Sequence, residues 1–352
     1  MTTKAPRVAL ISLEPWDDTW RRNQHLVHEL IAGGQVREVL FVEPAARTTR
    51  TFAPERGVTV VRPRRLLPKR LGGHLVTGLR LRASVLRGCD VLWVNDPEVG
   101  AHCLGARPTV YDVTDDWRTI APLPRIRRRI CRAENRLARR ATTVVCSSVL
   151  AGRWRQRYGV DATVVPNGVD AQAYATAVPH VYPGRGPHVG YVGTLSEQRL
   201  DVDLLVALAT RPEVGAVHLV GPDALSDTAR DRLLDTPKVV LHPSVPSAQV
   251  PSWITGLDLL VCPHVVTEFT LSLDAIKSRE YLASGRPVLA TPTSGFQDLG
   301  EFVTLADQHP ATFAGCAAAL VSAPPPAPTG GQPCSWARRA EQFAVVLTAE
   351  LG

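Results

Sequence analysis

The stretch DAIKSREYLASGRPVLATPTSG, Asp274 to Gly295, carries a helix, its stop signal and the strand that follows. Tyr281, Leu282 and Ala283 continue a helix begun near Asp274, and Gly285 ends it. Pro287 and the apolar run Val288–Leu289–Ala290 then read as a strand. Lys277 and Glu280 stand three apart and share one helix face. Two readings compete. One is a surface ion pair on an ordinary helix of an α/β protein; the other is a phosphate and ribose site, with the helix N-terminus facing an anion.

Outward from this stretch the same alternation recurs. RVALISL (7–13) and VREVLFVEP (36–44) are strand-like and enclose a helix at 23–34. Further apolar runs follow at 89–96, 107–116 and 141–148, and residues 160–174 read as a strand closed by a Pro-Asn-Gly turn. The Pro- and Gly-rich stretch 177–187 reads as a linker. Strands then resume at 188–195, 216–222, 238–245, 257–263, 287–291 and 301–306, with helices at 201–210 and 274–284. Such alternation predicts parallel sheets with helices on both faces, in two doubly wound domains. Ligands of such sheets bind beyond the carboxyl ends of the strands, which here means a cleft between facing domains. The segment 322–333 is expected to be mobile and the helix 335–351 to pack back across the hinge.

Length and composition agree with that reading. The 352 residues suffice for two domains with their own cores, and 45% hydrophobic with 21% charged content is that of a soluble globular chain. No run of about 18 apolar residues predicts a membrane span. The N-terminus enters a strand too early for a secretory signal. Seven dispersed cysteines without metal-ligand spacing suit reduced thiols in a cytosol, and a structural metal is not expected. Residues 1–170 carry 29 Lys and Arg against 16 Asp and Glu; residues 171–352 carry 11 against 17. The excess sits in RPRRLLPKR (62–70) and RIRRRICRAENRLARR (125–140), the second with Ile126, Ile130, Ala133 and Leu137 as an apolar stripe. A solvated helix face is the plain explanation. An anionic membrane surface or a phosphorylated acceptor is the functional one, and nucleic acid ranks lowest because aromatics do not interleave the arginines.

GxGxxG is absent after the first strand, and GxxxxGK[ST] is absent throughout, which disfavours a dinucleotide oxidoreductase or a P-loop enzyme. Instead VVPNGVD (164–170), YVGTL (191–195) and REYLASGRPVLAT (279–291) together resemble the family 4 type of retaining, GT-B-fold glycosyltransferases. WRRNQHL (20–26) and YDVTDDW (111–117) resemble a short bacterial branch associated with teichuronic-acid-type and other cell-surface glycans; the superfamily also decorates antibiotics. The resemblance implies an acceptor-binding Rossmann-like domain at 1–175 and a nucleotide-sugar-binding one at 176–334. The helix 335–352 would pack back towards the first. It implies a nucleotide-diphosphate sugar as donor, transfer with retention to a hydroxyl or amine, and no metal or other cofactor. Positive groups preorganised in a dry site would stabilise the leaving diphosphate.

Carried over position by position, the resemblance makes Glu280 the ribose ligand. The usual partner acid eight residues earlier is replaced by Ser272, with Glu268 the nearest acid, and Thr194 stands where an arginine is usual. Arg199 keeps the second cation in kind, and Lys277 could supply the missing charge. Donor-binding candidates are therefore Gly193, Thr194, Arg199, His242, Asp274, Ile276, Lys277 and Glu280, with Arg199 and Lys277 also in the catalytic set. Asp115 is the catalytic candidate of the first domain, able to orient or deprotonate an acceptor hydroxyl, to bind a donor-sugar hydroxyl, or to serve only as a helix N-cap. Trp20, Arg21, Arg22, Gln24 and Asp116 are acceptor-binding candidates, and NDPE (95–98) could line the same place. Two alternatives remain: a nucleotide-sugar epimerase of the same fold, and a non-catalytic partner that lost its chemistry. The acceptor, small or lipid-linked, stays open, as does a peripheral contact of a cytoplasmic protein with the inner membrane face.

Overall fold

The computed structural model describes residues 5–120, 123–323, 334–349 and 351. It divides into two compact units, Met1–Pro166 with Trp336–Gly352, and Asn167–Ser335. In the first, β1 (Arg7–Ile11), β2 (Glu38–Val42), β3 (Arg50–Phe52), β4 (Val58–Arg62), β5 (Val91–Val94), β6 (Thr109–Val113), β7 (Thr142–Val145) and β8 (Thr163–Val164) form one sheet. Its order is β3-β4-β2-β1-β5-β6-β7-β8, and only the β3–β4 edge pair is antiparallel. β5, with the sequence VLWV, is buried along its whole length, as a central parallel strand covered on both faces must be. Its helices are α1 (Arg22–Ala32), α2 (Gly73–Arg80), α3 (Pro97–Cys103), α4 (Trp117–Ile120), α5 (Pro124–Ala138) and α6 (Ser148–Tyr158).

The second unit has an all-parallel sheet in the order β11-β10-β9-β12-β13-β14. The strands are β9 (His188–Val192), β10 (Ala216–Val220), β11 (Val239–His242), β12 (Leu259–Cys262), β13 (Val288–Ala290) and β14 (Thr304–Leu305). Helices α7 (Ala171–Ala175), α8 (Val202–Ala209), α9 (Asp227–Leu234), α10 (Val250–Thr255), α11 (Ile276–Ala283), α12 (Ser294–Gln297) and α13 (Pro310–Ser322) complete it. The final helix α14 (Trp336–Thr348) belongs to the first unit, where it packs on α1 and sets Phe343 against Trp93 with ring centroids 4.6 Å apart. All seven cysteines are free thiols.

Several boundaries differ from the sequence reading. The second unit starts at Asn167 rather than 176, because α7 packs on α10 and α11. The expected linker at 177–187 is packed into that unit: Tyr182 is buried, its hydroxyl donates to the Trp253 carbonyl at 2.8 Å, and His180 stacks on Trp253. Proline and glycine there mark an irregular but anchored path. The expected strand over 160–174 shrinks to Thr163–Val164, and the β3–β4 edge and α2 lie where no element was expected. The stretch 322–333 lies, from 324 on, outside the described residues.

A row of histidines crosses the second unit. His188 Nδ1 and His218 Nε2 are 3.0 Å apart, as are His218 Nδ1 and His242 Nε2, with Tyr182 packed over His218. Burial pushes the His218 imidazole down to about 4, and its neighbours His242, His188 and His180 add to the effect. The unfolded chain therefore binds the proton first. Stability linked to this group is complete above about pH 6.5 and erodes as pH falls towards 4. The total change is on the order of 3 kcal/mol at one proton. Thermal melts between pH 7.5 and 5 should show a drop that is clearly smaller in His218→Gln. An equal drop in both proteins would rule the histidine row out as its source.

Candidate active site

In the second unit, one corner collects charge at the carboxyl ends of β9 and β12. The position of α11 there is fixed by its own residues. The Val192 N–H at the end of β9 donates to the Tyr281 hydroxyl at 3.0 Å, and Tyr281 is fully buried. Before the helix, the Asn167 N–H donates to Asp274 Oδ2 and Asn167 Nδ2 donates to the Asp274 carbonyl, both at 2.5 Å. Arg279 adds an ion pair to Asp274 at 3.3 Å. The Asp274 carboxylate, expected as a donor ligand, is thus buried and spent on holding the start of α11. Its charge is offset by Arg279 rather than presented to an anion.

This anchoring lays Lys277 across Gly193. A Cβ on Gly193, whose φ is +153°, would come within 1.9 Å of Lys277 Cε and 2.3 Å of Nζ. Lys277 Nζ sits 5.4 Å from the centroid of the Tyr191 ring. One turn on, Glu280 is half-buried and bonded by the Tyr174 hydroxyl of α7. Burial pushes the Glu280 carboxyl up, opposed by Lys277 and Tyr174, and pushes the Lys277 ammonium down, opposed by Glu280. Both charges are therefore held at a cost that an anion beside Lys277 and hydroxyl donors at Glu280 would relieve.

Arg199 is exposed, 5.5 Å from the centroid of Phe269, and close enough to Lys277 and His264 for its charge to act on both. His264 follows β12 and is buried, and among the described residues neither ring nitrogen has a hydrogen-bond partner. Burial pushes its imidazole down to about 3, with Lys277 and Arg199 adding to the effect. A neutral imidazole with two unused nitrogens beside two cations is a polar group awaiting a ligand. Ile276 is the first residue of α11, whereas Thr194 is exposed and its carbonyl accepts from the Tyr191 hydroxyl at 3.4 Å. Ser272 is buried in a short turn with its hydroxyl on the Phe269 carbonyl, and Glu268 is exposed. The His242 ring belongs to the histidine row, its Nε2 3.0 Å from His218 Nδ1.

The first unit redirects several acceptor candidates inward. Arg22 is 5% exposed and pairs with the fully buried Asp112 at 3.0 Å. Asp116 is 2% exposed and held by Arg153 at 2.7 Å and Arg157 at 2.8 Å, which keep its carboxyl below the usual range despite burial. Gln24 is buried and caps α1 by accepting from the Arg21 N–H at 3.0 Å. Asp96 caps α3 through the amides of Glu98 and Val99. The side chains of Arg22, Gln24 and Asp116 are thus buried and engaged with neighbours within the unit.

What remains accessible is a smaller set. Asp115 at the end of β6 is half-buried, and its charge acts on Glu14, whose carboxyl is pushed up chiefly by burial. Arg21 pairs with Asp17 at 3.0 Å and Glu14 at 3.4 Å. Trp20 packs edgewise on Trp16, His25 and His28 and lines an open hollow with Arg50 and Phe52. A separate cavity of about 250 Å³ lies beyond the ends of β1, β2 and β5, lined in part by Ser12, Arg65, Leu67, Lys69, His74 and Asp96. Sequence reasoning missed Glu14, Tyr174, His264 and this cavity. A polar residue directly after a strand, as in EPWDD and CPHVV, was the available signal for two of them.

Comparison with known proteins bears on both units. Residues 21–173 match the family model described as Glycosyltransferase Family 4, and residues 186–323 match Glycosyl transferases group 1. TuaH of Bacillus subtilis (strain 168), provisionally named a teichuronic acid biosynthesis glycosyltransferase, is 26% identical over 231 residues. That match takes in 58% of this chain and 56% of TuaH, so the chain spans little more than half the length of this curated relative. Among solved structures, a sucrose-phosphate synthase from Thermosynechococcus elongatus superposes with a TM-score of 0.70 at 17% identity, covering 97% of this chain and 94% of that one. HepE of Anabaena, in complex with UDP-glucose, gives 0.67 at 16%, covering 98% and 97%. WaaG, a glycosyltransferase involved in lipopolysaccharide biosynthesis, gives 0.67 at 14%, covering 97% and 96%.

Proposed function

Because the chain belongs to the family 4 type of glycosyltransferases with the GT-B fold, we propose that it moves a sugar from a nucleotide-diphosphate sugar to an acceptor hydroxyl or amine with retention. The observation that carries this reading is the packing of Lys277 over Gly193, one turn before a Glu280 already oriented by Tyr174. Glu280 accepts from the ribose hydroxyls. Lys277, Arg199 and the N-terminal amides of α11 face the diphosphate, and His264 donates an N–H to it or to the sugar. As the glycosidic bond breaks, negative charge grows on the leaving phosphate, and fixed cations in a buried corner oppose it without reorganising. In this reading Lys277 and Arg199 do the work that a divalent cation does elsewhere. Asp115 orients the acceptor hydroxyl or takes its proton, with Glu14 beside it. The likeness to TuaH supports a place in cell-surface glycan synthesis, with natural-product decoration as the other branch.

The test is binding. UDP, GDP, dTDP and ADP are each added, with magnesium and with EDTA, and melting is followed. UDP leads the panel because HepE carries UDP-glucose. A nucleotide at 100 times its dissociation constant should add about 2.7 kcal/mol of stability. The expected result is selective stabilisation by one nucleotide, equal with and without magnesium. Silence from all four would overturn the donor site and favour a non-catalytic partner. Conversion of a nucleotide sugar to its epimer without acceptor would overturn transfer.

A further inference from the structure

The segment from Arg62 to Arg87 contains eight Lys and Arg and no Asp or Glu. It also holds five of the most exposed leucines: Leu66 at 52%, Leu67 at 40%, Leu71 at 63%, Leu75 at 40% and Leu79 at 49%. Leu75 and Leu79 stand one turn apart on α2, and Leu71 ends the short turn that precedes it.

Their exposure is fixed by the opposite face. A Cβ on Gly78 would meet His102 Cβ at 2.6 Å and the Val99 carbonyl at 2.7 Å, and one on Gly73 would meet the Leu67 carbonyl at 2.0 Å. The two glycines press α2 against α3 and its own leading turn, which leaves the leucines no inward option. Arg64, Arg65, Arg70, Arg80 and Arg82 are exposed around them. The neighbouring α5 extends the same surface. Arg129 bonds the Lys69 carbonyl at 3.3 Å and shares Glu98 with Lys69, while Leu123, Arg125 and Arg128 at the start of α5 are exposed.

We propose that this leucine-and-arginine face, 64–82 with the start of α5, docks on an anionic lipid bilayer. The leucines enter the acyl boundary and the arginines meet lipid phosphates. Charge complementarity and apolar burial are both needed to use the face. Nucleic acid would leave the leucines in water, and a protein partner would have to be acidic throughout. No helix among the described residues is long and apolar enough to cross a membrane, and this face binds from one side. Leu67, Lys69, Gly73, His74 and Thr77 also wall the 250 Å³ cavity, so docking brings that cavity to the lipid surface. The proposal stands without the donor site assigned above.

The experiment is flotation of the full chain with vesicles of phosphatidylcholine alone or with about one-third phosphatidylglycerol. Binding should be at least about tenfold stronger to the anionic vesicles. The triple variant Leu71→Gln/Leu75→Gln/Leu79→Gln should lose about tenfold with its melting temperature unchanged, since these side chains are already in solvent. The triple variant Arg64→Glu/Arg70→Glu/Arg80→Glu should abolish the preference for anionic lipid, and it covers the case in which the leucine variant misfolds. No binding to anionic vesicles overturns the proposal. Binding that salt abolishes but the leucine variant leaves intact also overturns it, in favour of a purely electrostatic surface for an acidic partner. Nucleotide binding measured on the same samples tells this failure from loss of the donor site.

Discussion

In Glu280→Ala the affinity for the preferred nucleoside diphosphate is expected to fall by about 30- to 700-fold, or 2–4 kcal/mol, the scale of a lost pair of charge-assisted hydrogen bonds. The size follows from how the carboxylate is held. Tyr174 bonds it from one side, Lys277 lies one turn before it, and burial raises its pKa, so it carries an unmet demand for donors. In the proposed reading, two adjacent ribose hydroxyls supply that demand. Removing the carboxylate also takes the counter-charge from Lys277 and the acceptor from the Tyr174 hydroxyl, so stability should fall by about 1–3 kcal/mol while the fold persists, and affinity is compared on the folded protein. Tyr174→Phe should show the same direction at a smaller size, because it frees Glu280 to turn without removing it. Calorimetric titration of all three proteins decides the point. Unchanged affinity in Glu280→Ala would remove the ribose assignment, and a collapse in melting temperature would make Glu280 a structural residue.

The parts of this molecule legible in its sequence are those governed by short-range rules. Alternating apolar runs and glycine stops placed β1, β2, β5 to β7 and β9 to β13 close to where they lie, because buried parallel strands are short apolar runs whatever their neighbours. The edge strand β3, RTF with Arg50 turned to Glu43, has no such run and stayed hidden, whereas β4 carries one in VTVV that the reading passed over. Motif spacing placed Gly193, Arg199, Lys277 and Glu280 in one corner, as the structure has them. Side-chain direction was not legible. Arg22, Asp116 and Gln24 occupy a polar loop and a strand end that look ready for substrate, yet Asp112, Arg153 with Arg157, and the Arg21 amide claim them. The partners of Arg22 and Asp116 lie 37 to 90 residues away, where no local pattern encodes them, whereas Gln24 belongs to a local capping box. Asp274 is the same case: an acid at the start of a helix proposed to face phosphate is puzzling until Asn167 and Arg279 are seen to hold it.

Gly193→Ala tests whether the corner works as one unit. The methyl would overlap Lys277, and the backbone at φ +153° is one that L residues rarely adopt. A second constraint comes from behind, where a Cβ on Gly221 would meet the Gly193 carbonyl at 2.3 Å, so the two strand ends have little room to part. Lys277 must then leave its place or the end of β9 must shift. Transfer should fall by about 100-fold or more, since a displacement near 1 Å in a positioned site has that effect. Stability should fall by about 1–3 kcal/mol. The double variant Gly193→Ala/Lys277→Ala separates the two causes. With the lysine stem gone, the overlap disappears and only the backbone term remains. The stability cost of the alanine should then shrink by about half or more, a coupling that independent sites do not show. Equal costs in the two backgrounds would mean that Lys277 does not lie over Gly193 in solution. In that case the cation facing the diphosphate would have to be Arg199 alone.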